Sequence, residues 1–556
     1  MFFLQRPWTD SQRPETRMAA SPLLNTGFVK QRSVRNVMTW NHGTNGLLIG
    51  YAIGAAAMFL GMLLGRAPAS RLLLSPLIAI PVLIVAVILW TAMAGPLQSS
   101  GLASNLVPYL GLGFIAIFSG LVGKLFAKLP EKKTHKRGTL LAEAAPKLAR
   151  GILKPKGLTL AGQPVPESDE TKHFKMIGTT GTGKSTAIRE LLTGALERGD
   201  RAVIADPDGS YLNRFYDPHR GDQILNPFEP RAARWNLFGE MSAMHDADQL
   251  SRSLIADTEG AEASWRNYAR VFLTSLLRQL HRVKRDDVGE LYTLIATTPV
   301  DDLREVLADT PAGPYLAQDN GRFFSAVRAV ANTHLSALEH VARQTSRESL
   351  SVRDWIREGH GVLFLPYKAN EIATLGSIIS TWMRLAIYET MSRPEGDQRI
   401  GVHRVWFAID ELDALGQIDG LKDALARLRK FGGRCVLGLQ SIAQVSGLYG
   451  RSEAQTIVEN CGNTLILRCS ASEGGGTARF ASGLIGEREV IREQTTKSRG
   501  GGVILANNHR SVSTSFQHVT ESAVLASEIE QLQDLQGFLK FASQPEWKRV
   551  RLGFVP

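Results

Sequence analysis

Three features of the 556-residue chain specify an α/β protein: a doubly wound, mainly parallel sheet with an all-α insertion and an N-terminal transmembrane helical anchor. Apolar runs ending in polar residues alternate with helical segments over the C-terminal part, the pattern of parallel strands buried on both faces. One strand-to-helix junction, Gly178 to Ser185, spells GTTGTGKS. Between Arg71 and Lys124 there is no Asp, Glu, Lys or Arg, a charge-free run that no soluble domain requires. The length exceeds what one core can serve, and two to four folded units are expected.

The anchor comes first in the chain. Leu47–Gly65, Leu72–Leu97 and Leu106–Gly123 are apolar and uncharged apart from their flanks, each close to the roughly 20 residues that cross a bilayer. The last two show no polar face; the first also reads as peripheral or re-entrant, so the anchor has two to three helices. Lys124, Lys128, Lys132, Lys133, Lys136 and Arg137 follow the last stretch and put the C-terminal part in the cytoplasm. The uncharged loop Gln98–Asn105 suits the far side, and Arg66 and Arg71 the near side. Three spans would leave the N-terminus outside, yet residues 1–46 carry Arg6, Arg13, Arg17, Lys30, Arg32 and Arg35 against Asp10 and Glu15. A translation start at Met38 would remove that conflict. A signal peptide fits poorly, because the first apolar run begins only at Leu47.

The net charge of +11 divides unevenly. Residues 1–150 carry 16 basic and 4 acidic side chains and the remainder is net −1, so the basicity belongs to the membrane region. It provides no broad nucleic-acid-binding surface. Cys435, Cys461 and Cys469 form no disulfide framework and no CxxC pair for zinc, and reduced thiols are expected.

After a proline-bearing linker (124–170), His173–Ile177 reads as a strand and Thr186–Arg198 as a helix. GTTGTGKS between them matches GxxxxGK[ST] in the strand–loop–helix setting it needs. Gly178, Thr179, Thr180, Gly181, Thr182 and Gly183 would curl backbone N–H groups around phosphates at a helix amino end, with Thr186 closing the turn. Lys184 would reach the β/γ-phosphates of ATP, and Ser185 would give an oxygen to Mg²⁺. The partner motif is HRVWFAIDEL, 403–412, a buried strand ending in Asp410, the expected second metal ligand, and Glu411, which would polarise an attacking water. Ala202–Ala205 ending at Asp206, Gly361–Pro366, Cys435–Leu439 ending at Gln440, and Thr464–Leu467 supply further strands. Gln440, at a carboxyl strand end, would orient water or sense the γ-phosphate.

From Met241 to about Ser346 the period changes. Trp265, Tyr268, Phe272, Leu276 and Leu280 follow helical spacing, and we expect an all-α domain with Trp265 and Tyr268 in its core rather than as a base-stacking platform. The expected organisation is a basic leader (1–46), the anchor (47–123), the linker, a P-loop domain (171–240 and 347–556) and the all-α domain (241–346).

In this order GTTGTGKS (178–185), AVIADPDG (202–209), NPFEPRAARWN (226–236), FAIDELDAL (407–415), ARLRKFGGRCVLGLQS (426–441) and NTLILRCS (463–470) resemble the type IV secretion coupling proteins of the TraD/TrwB kind, within the FtsK/HerA group of hexameric motors. The similarity runs from about residue 105 to the end. It implies a RecA-like P-loop nucleotide-binding domain in a multi-pass protein of the bacterial inner membrane, assembled as a homo-hexamer around a channel. It implies DNA-stimulated ATP hydrolysis, with recruitment of a relaxase–DNA complex from the relaxosome. Single-stranded DNA would then move towards the inner-membrane components of a type IV secretion or conjugation channel. ATP would lie between subunits, with Arg429 donated in trans as an arginine finger; Arg427, Lys430 and Arg434 are the neighbouring alternatives. The family usually has two spans, from which Leu47–Gly65 departs. Lys497 and Arg499 beside Gly500–Gly502 form either a channel loop or a plain surface hairpin.

Three other functions compete. A segregation translocase on double-stranded DNA is disfavoured, since little chain follows the α/β domain to build a DNA-reading winged helix. A protein-secretion or assembly ATPase remains, as does a docking platform without turnover, against which Glu411 and Gln440 argue. An ABC transporter would need an LSGGQ-like signature that the sequence lacks.

Overall fold

The computed structural model of the protein describes residues 44–65, 67, 69–99, 106–127, 134–143, 157–258, 260–392, 404–472, 475–499 and 510–553. It divides into two compact units, one ending at Lys132 and one beginning at Lys133. The basic leader up to residue 43, with Met38, lies outside the described residues.

The first unit holds three helices, Thr44–Leu64, Ala69–Ser99 and Val107–Ala127. Two contain stretches long and apolar enough to cross a membrane, Leu72–Ala94 and Tyr109–Ala127. The first helix does not meet the expectation of a third span. Its apolar stretch, Leu48–Leu64, reaches about 25 Å at helical rise, short of a hydrocarbon core of about 30 Å. It nevertheless packs backbone to backbone on the third helix. A Cβ on Gly61 would fall 2.1 Å from the carbonyl oxygen of Gly120, so only glycine permits this approach.

Ten strands of the second unit form its main sheet. In chain order they are β1 (Leu140–Glu143), β2 (Phe174–Ile177), β3 (Arg201–Pro207), β4 (Gln223–Ile224), β5 (Val362–Tyr367), β6 (Val405–Ile409), β7 (Gly433–Leu439), β8 (Asn463–Ile466), β9 (Gln536–Lys540) and β10 (Glu546–Arg551). Across the sheet the order is β1-β10-β9-β8-β2-β7-β6-β3-β5-β4. From β8 to β4 every neighbouring pair is parallel. β9 reverses against β8 and β10 against β9, while β1 joins β10 in parallel. The doubly wound, mainly parallel sheet expected from the alternating runs is therefore present. Part of the expected linker is not linker: Leu140–Glu143 is an edge strand, and Thr134–Gly138 pairs with a hairpin of Glu487–Arg499 and Arg510–Ser522. Lys497 and Arg499 lie in the first strand of that hairpin, and Gly500–Gly502 lie outside the described residues.

Side-chain alternation sends the strands into two cores. Ile204, Phe364, Trp406 and Val436 meet Ala187, Ile188, Leu191 and Leu192 of the helix that follows the glycine-rich loop. Val203, Leu363, Phe407 and Leu437 join the opposite core, which runs on through Trp382 into the helical insertion. Each large aliphatic side chain buried this way contributes about 1.5–3 kcal/mol.

The insertion is helical over Asp246–Leu254, Glu262–Arg282, Val288–Ala296, Val300–Leu307, Gly321–Leu335 and Ala337–Ala342. Phe272, Leu276 and Leu280 are buried as their spacing predicts. Trp265 and Tyr268 are not: they are 37% and 36% exposed, stacked with Tyr315 and Phe323 in an aromatic cluster near the start of their helix. The heptad-like spacing is correct, but the first turns of the helix reach past the core they point towards.

The chain leaves and re-enters the α/β domain through a short ladder, Arg234–Trp235 parallel to Ser349–Leu350. Beside it lies Glu240, 1% exposed. Its Oε1 accepts from Trp235 Nε1 (2.8 Å) and the Val352 amide (2.6 Å), and its Oε2 from the Arg353 amide (2.9 Å). Burial outweighs these donors and pushes the carboxyl up to about 7, against an ordinary value of 4.5. Over that window the folded chain holds a proton that the unfolded chain has released, so stability falls as pH rises through it. The thermal-midpoint advantage of wild type over Glu240→Gln, followed by tryptophan fluorescence, is expected to be several degrees larger at pH 5 than at pH 8. Equal gaps at both pH values would exclude titration of Glu240.

Candidate nucleotide site

The loop Gly178–Ser185 leaves β2 at the carboxyl edge of the sheet and enters helix Lys184–Glu197. Both neighbouring strands set its start: the Gly178 amide donates to Leu439 O (3.1 Å) and the Thr179 amide to Arg468 O (2.9 Å). Thr182 Oγ1 donates to Thr179 O at 2.7 Å and pins the turn. Gly183 has φ 116°, a backbone conformation that favours glycine. Beyond the Gly178 and Thr179 amides, which the neighbouring strands take up, backbone N–H groups from Thr180 through Thr186 lead into the positive end of a helix, a cradle for phosphate.

Lys184 is buried, and its ammonium donates to Gly178 O (2.7 Å) and Thr179 O (3.2 Å). Burial holds it below the usual lysine value, against the pull of Asp410 and Glu411. Next to it, Ser185 Oγ donates to Asp410 Oδ2 at 2.5 Å. Tyr211 donates its phenol to the same oxygen at 2.8 Å. The other oxygen, Asp410 Oδ1, is buried and has no hydrogen-bond partner among the described residues. An acid held rigidly by one oxygen, with the other free beside a hydroxyl, suits a hard cation. Among the described residues no three His, Cys, Asp or Glu side chains gather into a metal cluster. A magnesium ion held by Ser185 and Asp410 would therefore complete its shell with phosphate oxygens and water, as this ion prefers.

Glu411 follows on the other side of the strand. Its Oε1 accepts from Gln440 Nε2 at 2.6 Å, and Gln440 Oε1 in turn accepts from Thr180 Oγ1 at 3.0 Å. The sheet brings this chain of contacts together because β7, which carries Gln440, lies between β2 and β6. Burial first, then Asp410 and Asp413, raises the Glu411 carboxyl above its ordinary value. A more basic carboxylate at this position is suited to take a proton from water.

Arg429 is elsewhere. It sits in a turn before β7, exposed, whereas Gln440 follows the strand's far end. Seven residues of strand separate the two edges by about 20 Å. Of its neighbours, Arg427 and Lys430 are exposed, but Arg434 is buried and paired with Glu170 (3.0 Å). Arg434 is thereby committed to the core and removed from the alternatives.

Sequence reasoning assigned no role to Asp206, Tyr211, Tyr367 or Asp413, which border the same edge. Asp206 accepts from the Tyr211 (2.9 Å) and Leu212 (2.7 Å) amides and fixes the turn that delivers the Tyr211 phenol. Burial, the largest influence on it, pushes Asp206 up to about 6. An acid ending a strand beside the Asp410 strand was a readable signal; a phenol five residues later was not. All three cysteines are buried free thiols, as expected.

Residues 157–553 match the family model of the type IV secretion-system coupling protein DNA-binding domain. The coupling protein TraD of Escherichia coli (strain K12) is 29% identical over 400 residues, 70% of this chain and 54% of TraD. The type IV secretion system-coupling protein VirD4 of Bartonella quintana (strain Toulouse) is 27% identical over 343 residues, 57% of this chain and 50% of that protein. The chain thus spans about half the length of these curated relatives. Among solved structures, the conjugative coupling protein TrwBΔN70 is 30% identical with a TM-score of 0.67, covering 77% of this chain and 96% of that one. TrwB in complex with ADP and Mg²⁺ gives 30% identity and a TM-score of 0.66, over 77% of this chain and 95% of that one. The RecA-like P-loop fold is shared, and the chain belongs to the type IV secretion-system coupling protein family.

Proposed function

We propose that the protein is a membrane-anchored ATPase that drives DNA transfer into a type IV secretion or conjugation channel. The substrate is single-stranded DNA with an attached relaxase, taken from the relaxosome. The observation that carries this reading is the contact chain of Ser185, Asp410, Glu411, Gln440 and Thr180, gathered at one sheet edge in a chain of this family. TrwB has been solved with ADP and Mg²⁺ and with a non-hydrolysable ATP analogue, which supports ATP and Mg²⁺ as the ligands here. Lys184 and the amides of 180–186 would hold the β/γ-phosphates. Ser185 and Asp410 would hold magnesium, which neutralises phosphate charge. Glu411 would orient water and accept its proton, and Gln440 would sense the γ-phosphate. The helices containing Leu72–Ala94 and Tyr109–Ala127 support an anchor in the bacterial inner membrane with the ATPase unit in the cytoplasm.

A homo-hexamer would supply what a finger role for Arg429 needs. At the amino edge of its own sheet Arg429 lies far from its own phosphate loop, so that role requires a neighbouring copy. Hexamerisation would also concentrate a few basic residues into a ring, giving the nearly neutral residues 151–556 a path for DNA.

Turnover should rise with single-stranded DNA and grow more than linearly with protein concentration, with Lys184→Ala as the inactive reference. A preference for duplex DNA would favour a segregation translocase, and turnover indifferent to DNA in a competent oligomer would favour a protein-handling ATPase.

Glu411→Gln should retain bound ATP while hydrolysis falls at least about 100-fold, measured by filter binding and phosphate release; an unchanged rate would remove Glu411 from the chemistry. Mixing inactive Arg429→Ala and Lys184→Ala protomers should restore part of the activity. No recovery at any ratio would count against donation of Arg429 in trans.

A further inference from the structure

Tyr367 ends β5 at the carboxyl edge of the sheet, is 4% exposed, and its phenolic oxygen has no hydrogen-bond partner among the described residues. A buried hydroxyl left unpaired costs stability. A phenylalanine would fill the same space without that cost. The hydroxyl therefore calls for an explanation outside the packing.

The register of the sheet points to its partner. Tyr367 stands opposite Pro207 on β3, and Ile409 on β6 stands opposite Ala205. Glu411, two residues beyond Ile409, is thus level with Tyr367 and two strand spacings away, about 10 Å between backbones. A tyrosine and a glutamate reaching towards each other can span that distance. They also share a face. Leu363, Leu365 and Tyr367 line the same core as Phe407 and Ile409, whereas Asp410 turns to the opposite face and meets Ser185 and Tyr211. Around the phenol stand Glu411, Asp410, Asp206 and Asp413; burial first, then their charge, holds it protonated far above the usual tyrosine range. Its O–H is a donor facing acids that, when ionised, only accept.

Glu411 now takes its donor from Gln440, which is itself tied to Thr180 of the phosphate loop. A γ-phosphate seated in that loop competes for both Thr180 and Gln440. We propose that Tyr367 is a positioning residue for Glu411, donating its O–H to the carboxylate when Gln440 turns to the phosphate. The inference rests on the hydrolytic reading above. Two donors used in succession would keep Glu411 aimed at the water while Gln440 reports nucleotide arrival.

The test is Tyr367→Phe in the full chain reconstituted in lipid nanodiscs, assayed for ATP turnover with single-stranded DNA. We expect kcat to fall about tenfold from lost orientation, with KM for ATP within about twofold and a melting temperature equal to or above wild type. A merely structural role would lower the melting temperature and move kcat and KM together, and this outcome would overturn the proposal. So would wild-type turnover. An inactive wild-type protein would instead bring down the hydrolytic reading and this inference with it.

Discussion

Two donors on one oxygen of Asp410 govern the geometry of the site. Ser185 comes from the phosphate-loop helix and Tyr211 from the turn after β3, so a single carboxylate oxygen joins three separate segments of chain. Both bonds arrive on the same atom, and the second oxygen keeps its lone pairs free inside the protein. Leaving a buried carboxylate oxygen unpaired is unfavourable unless a ligand completes it. Moving either donor to Oδ1 would satisfy the acid and close the position that suits a cation. The parallel register prevents this, because it fixes Asp410 at the level of Asp206, and Asp206 fixes the Tyr211 turn.

The same edge concentrates negative charge that the fold does not neutralise. Lys184 opposes the charge of Glu411 there, and burial still leaves both Asp206 and Glu411 raised above their ordinary values. The amino edge is treated the opposite way. There Glu170 meets Arg198 through two bonds (2.7 and 2.8 Å) and Arg434 at 3.0 Å, while Trp406 donates to Asp200 at 2.9 Å. Acids at one edge of the sheet are saturated, and acids at the other are left poised. Such asymmetry marks the poised edge as the one built for a ligand.

Legibility in the sequence followed the range of the interaction. The phosphate loop, Asp410, Glu411 and Gln440 were readable because each motif is local: a strand and the polar residue that ends it. Trp265 and Tyr268 were misplaced because periodicity gives the face of a helix but not where the core beneath it stops. β9 and β10 went unread; Glu546–Arg551, for one, holds only Trp547 and Val550 as buried apolar residues and shows no continuous apolar run. Tyr211 and Tyr367 could not be found by pattern at all. Tyr211 meets Asp410 from 199 positions away in the sequence, and Tyr367 stands across β3 from the Glu411 strand; a single sequence without that register carries no sign of either.

Arg429 carries the argument beyond one chain. Its turn ends at Gly432 in the left-handed region, and the next residue enters β7. The rigid strand therefore fixes the distance between Arg429 and Gln440, and no side-chain rearrangement closes about 20 Å. Yet any change in the tilt of β7 moves both residues at once, one at each edge. If Gln440 shifts when it engages a phosphate, Arg429 shifts with it, at the surface where another copy would sit. A strand of this length would then act as a lever between consecutive sites. In the proposed ring, with Gln440 as sensor and Arg429 as finger, sequential rather than independent firing would be the mechanical consequence of their lying at the two ends of one strand.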